Sequence, residues 1–212
     1  MGERLSGGNA ALALLANTLA TGSTLTTLIL TFGPISGAHF NPAVTLADAS
    51  QGGICRREVP GYIVVQFAGA LLGVAAAHVM FGEPLVQVSQ HVRSGGSQMF
   101  SEFVAAFGLL SVIWGCSRLR AEAVPFAVRL YITSAYWFTA STSFANPAVT
   151  FARSFTNTFA GIRPADAPGF IAAQFAGAFA ATFLFRWLVP SLPKQAREVV
   201  VPHREKEVMH GG

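Results

Sequence analysis

The pentapeptide Asn41-Pro42-Ala43-Val44-Thr45 recurs residue for residue as Asn146-Pro147-Ala148-Val149-Thr150, and each copy is followed two positions on by alanine, Ala47 and Ala152. Asparagine is a good N-cap, because its side-chain oxygen accepts one of the backbone N–H groups that a helix start leaves unpaired. Proline suits the first helical position, where the missing N–H costs nothing and φ is already helical. Both copies therefore read as the start of a short helix, yet both lie inside long apolar stretches. At membrane depth a helix can begin only where the freed backbone is buried in protein or lines a cavity. Two such starts in one chain make these sites functional candidates.

The setting is a membrane. Only 11% of the 212 residues are charged and 52% are hydrophobic, against about a quarter charged in a soluble domain. No charge falls between Arg4 and Asp48, Glu58 and Glu83, Glu102 and Arg118, Arg129 and Arg153, or Asp166 and Arg186. Those gaps reach or approach the roughly 20 residues that cross a bilayer. A soluble bundle would not segregate its charges in this way, so the fold class is an all-α membrane protein. The net charge of +4 comes from basic residues at segment ends, where topology signals belong, and does not point to nucleic acid. Cys55 and Cys116 are too few and too far apart for a disulfide frame or a metal site.

In chain order, Asn9 to Gly33 reads as a span that Pro34 ends, and residues 36–40 as irregular backbone leading to the first half-helix, which fades at Gly52-Gly53. Tyr62 to Phe81 spans again and carries Gly69-Ala70-Leu71-Leu72-Gly73, a small-xxx-small face for close helix approach. Met99 to Cys116, Phe126 to Thr142 and Gly169 to Leu188 complete five spans. Residues 1–190 form one transmembrane domain, in two repeats of about 1–95 and 96–190, and 191–212 a charged cytoplasmic tail.

The repeat extends past the pentapeptide, since Gly61-Tyr62-Ile63 and Gln66-Phe67-Ala68-Gly69-Ala70 match Gly169-Phe170-Ile171 and Gln174-Phe175-Ala176-Gly177-Ala178. Three spans separate the two motifs, an odd number, so the half-helices enter from opposite faces and the repeat is inverted. With the first motif cytoplasmic, Arg56, Arg57, Arg118, Arg120, Lys194, Arg197, Arg204 and Lys206 fall inside and only Arg4, Arg93, Arg153 and Arg163 outside, as the positive-inside rule requires.

Twin Asn-Pro-Ala half-helices in an inverted repeat, with Ser-Gly-Ala-His-Phe ahead of the first, resemble the aquaporin (major intrinsic protein) family over about Asn9 to Leu188. The resemblance implies six spanning helices and two half-helices, a homotetramer with one pore per subunit in the inner (plasma) membrane, and passage of water or small neutral solutes such as glycerol. It needs no cofactor, metal or catalytic residue. The pore residues it implies are Asn41, Pro42, Ala43, Asn146, Pro147 and Ala148. Facing helix N-termini bring two positive dipole ends together, and the Asn41 and Asn146 amides offer donors to a passing oxygen, while a cation meets a barrier.

The family's outer constriction carries an arginine directly after the second Asn-Pro-Ala; here that position is Val149, and spacing places its partners at Thr21, Ser134 and Ser143. Four small, uncharged residues imply a wide, mildly polar filter. Arg153 sits about one turn further along the helix and is expected not to stand in for the missing guanidinium at the same height. The pattern resembles the bacterial subgroup associated with arsenic-resistance genes, which implies arsenous acid and other metalloid hydroxides as solutes beside glycerol and water.

Glu102 matches the family's buried brace for the second loop, and the helix carrying its counterpart for the first loop is not found in the sequence. The expectation is that Met1 is internal to a longer product. Two other readings compete with a working channel: a non-conducting truncated relative, and an ion-coupled secondary transporter, which needs more intramembrane charge than Glu102 supplies. No nucleophile–base pair, paired carboxylate or metal cluster suggests an enzyme.

Overall fold

A computed structural model describes residues 1–189, with Arg118 and Leu119 described for the backbone alone; the expected tail at 191–212 lies outside the described residues. All regular structure among them is helical: α1 (Gly2–Leu5), α2 (Ala10–Ser36), α3 (Pro42–Gln51), α4 (Val59–Phe81), α5 (Gly96–Leu119), a 3-10 turn (Ala121–Ala123), α6 (Val124–Phe138), α7 (Pro147–Arg153) and α8 (Ala167–Leu188).

Four of these, α2, α4, α5 and α8, are long and apolar enough to cross a bilayer. The fifth expected span is shorter than its uncharged stretch. α6 has 15 residues, about 22 Å at the helical rise, because Thr139 turns extended and the chain through Ala145 becomes loop. Pro34 likewise does not end the first span. It sits inside α2, which runs on to Ser36 and stops where Gly37 turns left-handed at φ 73°. A proline in a last turn forfeits its own hydrogen bond without unwinding the turns before it. Thr26, Thr27 and Thr31 of α2 bond back along the helix to the Gly22, Ser23 and Thr27 carbonyls, so these three open no polar path.

The core lies where α5 packs on α8 and α6 on α2. Trp114, Leu110, Ala105 and Ala181 are buried there. Glycines set the crossings: a Cβ on Gly177 would run into the Phe103 carbonyl of α5, and one on Gly22 into the Thr133 hydroxyl of α6. The α4 glycines behave differently. Gly69 and Gly73, expected to seat a neighbouring helix, have nothing within 4 Å of an added Cβ, and only Val59 and His78 of α4 are buried.

Arg4 donates to Phe81 O and to Glu83, and Glu3 accepts from the Phe159 N–H. The loop after α4 pairs with the one after α7 through Gln87 N to Phe155 O and Ser89 N to Ser154 O. Arg4, Arg93 and Arg163 thus share one face, as the charge count required.

Candidate functional site

The two half-helices meet tip to tip. Asn41 caps α3 by accepting from Ala43 N at 2.9 Å, and Asn146 caps α7 by accepting from Ala148 N at 3.0 Å. Each amide then crosses to the other repeat: Asn41 Nδ2 donates to Ala145 O at 2.7 Å, and Asn146 Nδ2 to Phe40 O at 2.8 Å. This reciprocal exchange is what a two-fold inverted repeat produces. A carboxamide nitrogen carries two N–H donors, so one remains on each asparagine after the exchange. Pro42, Ala43, Pro147 and Ala148 are buried at the junction, small enough to let the tips touch.

The loops that present the tips are strained alike. Ala38 and Phe40 have φ of 48° and 46°, and their counterparts Ser143 and Ala145 have 49° and 47°. Left-handed conformations in non-glycine residues cost on the order of 1–3 kcal/mol each and persist only where the surroundings impose them. In the second loop the imposing group is Glu102, which is fully buried. Its carboxylate accepts from Phe144 N and Ala145 N, both at 2.8 Å, and from Gln174 Nε2 at 2.6 Å. Gln174 also donates to Thr150 of the pentapeptide.

A cavity of about 260 Å³ runs past both tips. One wall is apolar, from Leu25 and Ile29 of α2 and from Val124, Val128 and Ile132 of α6; the other is the strained backbone of Ala38–Phe40 and Ser143–Ala145. Thr21, Ser143 and Val149 line it, as do Asn41 and Asn146. Ser134 does not. Its side chain is exposed and its hydroxyl bonds back to Leu130 O at 2.9 Å. The lumen face of α6 is the fourfold-spaced row Val124, Val128, Ile132, Tyr136, and Ser134 lies across the helix from it.

The lumen is also charged, contrary to the expectation of four small neutral residues. Arg153 lines it together with Tyr136 and Phe144. Its Nη2 donates to the Tyr136 hydroxyl at 3.4 Å, which bonds Thr21 Oγ1 at 3.4 Å, and its guanidinium lies 4.3 Å from the Phe144 ring centre. Helical side chains lean toward the helix N-terminus, so an arginine one turn beyond Val149 reaches back toward the tip. Beside it, in the outer loop, Arg93 is held by the carbonyls of Gly161, Ser141 and Phe159; burial, then the nearby Arg153, lowers its pKa to about 10.

A second cavity of about 600 Å³ lies between the first loop and α4, and shares His39, Phe40 and Val149 with the lumen.

Comparison with known proteins agrees with this arrangement. The family model described as major intrinsic protein matches residues 3–121 and again 115–210. The chain is 57% identical over 184 residues to aquaglyceroporin AqpS of Rhizobium meliloti (strain 1021), a match covering 86% of this chain and 79% of that protein. It is 39% identical over 108 residues to aquaporin NIP1-2 of Arabidopsis thaliana and 42% over 96 residues to nodulin-26 of Glycine max, each match covering 44% of this chain and 35% of the relative. Paired helix tips, two family matches that together run from residue 3 to 210 and a relative 57% identical over most of the chain converge on one conclusion: this multi-pass membrane protein belongs to the major intrinsic protein family.

Proposed function

We propose that the chain forms a passive pore for small uncharged hydroxylated solutes, in a single transmembrane domain of the inner (plasma) membrane. The observation that carries this reading is the lumen itself: the two tip asparagines with loop residues 38–40 and 143–145 line one side, and aliphatic side chains the other. A hydroxylated solute replaces part of its hydration on the polar wall, while the apolar wall offers an ion nothing in exchange. Glycerol and water are the first candidates, in line with the name of the 57% identical relative. Arsenous acid and related metalloid hydroxides fit by the same chemistry, being neutral near pH 7 and rich in hydroxyls. Val149 leaves room for them beside the second tip. Assembly as a homotetramer belongs to this proposal.

The reading of Glu102 as a brace rather than a coupling group is supported by its three hydrogen bonds, which a proton or ion cycle would have to break. Flux should therefore be insensitive to imposed pH and sodium gradients.

Purified protein in vesicles tests the proposal by light scattering with water, glycerol and arsenous acid. Val149→Arg is expected to cut passage of the two larger solutes several-fold more than water, since a second guanidinium then crowds Arg153. Unchanged size selectivity in that variant would refute the role of Val149. The second cavity favours one rival reading, a non-conducting relative, because only the first loop and Val149 separate it from the lumen. Flux no faster than in empty vesicles decides for that rival.

A further inference from the structure

Arg153 is the charged side chain of the lumen that the repeat does not explain. Its counterpart seven residues after the first asparagine is Asp48, an acid beside His39 at 3.5 Å. Arg153 has no carboxylate within ion-pair distance among the described residues. Its one hydrogen bond, to Tyr136, is long. A guanidinium has five N–H donors, and that of Arg153 lines the lumen.

Two hydroxyls neighbour that guanidinium. Thr21 and Tyr136 stand on the α2 and α6 walls. Arg93 sits 4.9 Å from the same Phe144 ring that Arg153 stacks on, and its carbonyl bonds keep it out of the lumen. The Phe144 ring therefore carries both guanidinium groups, that of Arg153 at 4.3 Å and that of Arg93 at 4.9 Å. The arrangement offers a solute several donors and acceptors at one level. To a cation it offers only a fixed positive charge in a medium of low dielectric.

We propose that Arg153, reaching back over Val149, is the specificity-determining cation of the outer constriction: it sets the size limit for hydroxylated solutes with Tyr136 and Thr21, and it excludes cations. This rests on the chain being a solute pore.

The test uses the full chain in vesicles, with glycerol and the five-carbon polyol ribitol as solutes and a trapped pH dye to follow proton leak. Arg153→Met is expected to raise both the ribitol-to-glycerol permeability ratio and the leak by about tenfold, the low end of what a charge-assisted hydrogen bond is worth. The double variant Val149→Arg/Arg153→Met returns a guanidinium to the lumen and should restore both. Arg153→Lys keeps the charge but loses the planar fork that lies on Phe144 and reaches Tyr136, so it should exclude protons as the wild type does and still relax the size limit. An unchanged ratio and unchanged leak in Arg153→Met overturn the proposal. Should that variant fail to insert, an unchanged ratio in Arg153→Lys overturns it equally. A wild type without glycerol flux fails the pore reading instead, so the two failures are distinguishable.

Discussion

Phe144 and Ala145 give their N–H groups to the Glu102 carboxylate, whereas the Phe40 N–H, which corresponds to that of Ala145, meets no acidic side chain among the described residues. The same contrast recurs one layer out. Gln174 donates to both Glu102 and Thr150, whereas Gln66, its counterpart, donates to Thr45 alone. α8 presses its Gly177 against α5, while the matching Gly69 of α4 touches nothing. Two copies of one pentapeptide thus give the same backbone, with the same left-handed residues and the same cap. The packing around each copy differs. Local sequence dictates the shape of a helix tip, and distant side chains dictate how firmly it is held.

That difference can be broken in three places. Glu102→Ala should have the largest effect. It strands two buried N–H groups and the Gln174 amide, a loss of about 3–5 kcal/mol, and hydrogen exchange should quicken at residues 144–150 while 38–44 change little. Equal quickening in both loops would mean that the tips are held as one unit and that the contrast is illusory.

A smaller effect is expected at the helix crossings. Gly177→Ala drives a methyl into the Phe103 backbone and should cost about 1–3 kcal/mol, read as a lower thermal midpoint in detergent. Gly69→Ala should fall within about 0.5 kcal/mol of wild type. A comparable loss at Gly69 would reveal that α4 is covered by another helix in the native assembly.

The smallest effect concerns the residues before α4 and α8. Asp166 accepts from Arg163 and from the Arg93 N–H, and Arg163 first of all holds its pKa below the ordinary 3.8. A carboxyl with a lowered folded-state pKa stabilises fully above its unfolded value and loses that contribution as pH falls through the folded one. The outer loop at 91–93 and 163–166 should therefore loosen only below about pH 4, seen as faster exchange there. Asp166→Asn should remove that pH dependence, and a loop that loosens identically in the variant would assign the change to another group.

Much of the fold was legible before any coordinates. Charge-free gaps placed the spans, and the repeated Asn-Pro-Ala placed the half-helices, because an N-cap and a proline act within one turn of chain. That Glu102 needs partners was legible too, since an intramembrane acid survives only when satisfied; its reading as a brace came with the family resemblance. The constriction was harder. Counting back from the motifs chose Ser134, which lies across α6 from the lumen row Val128, Ile132 and Tyr136; α6 is apolar on its other faces as well, so apolarity did not single out that row. Arg153 was judged by its Cα height, which ignores the lean of a long side chain toward the helix N-terminus.

What the chain determined alone is what depends on neighbours in sequence: segment polarity, helix starts and the parity that inverts the repeat. Tertiary structure decided which charges meet the lumen and which tip is clamped. A guanidinium on a flexible stem, or an N–H in a strained loop, takes its partner from whatever the packing of other helices brings within about 3 Å, and no local pattern specifies that.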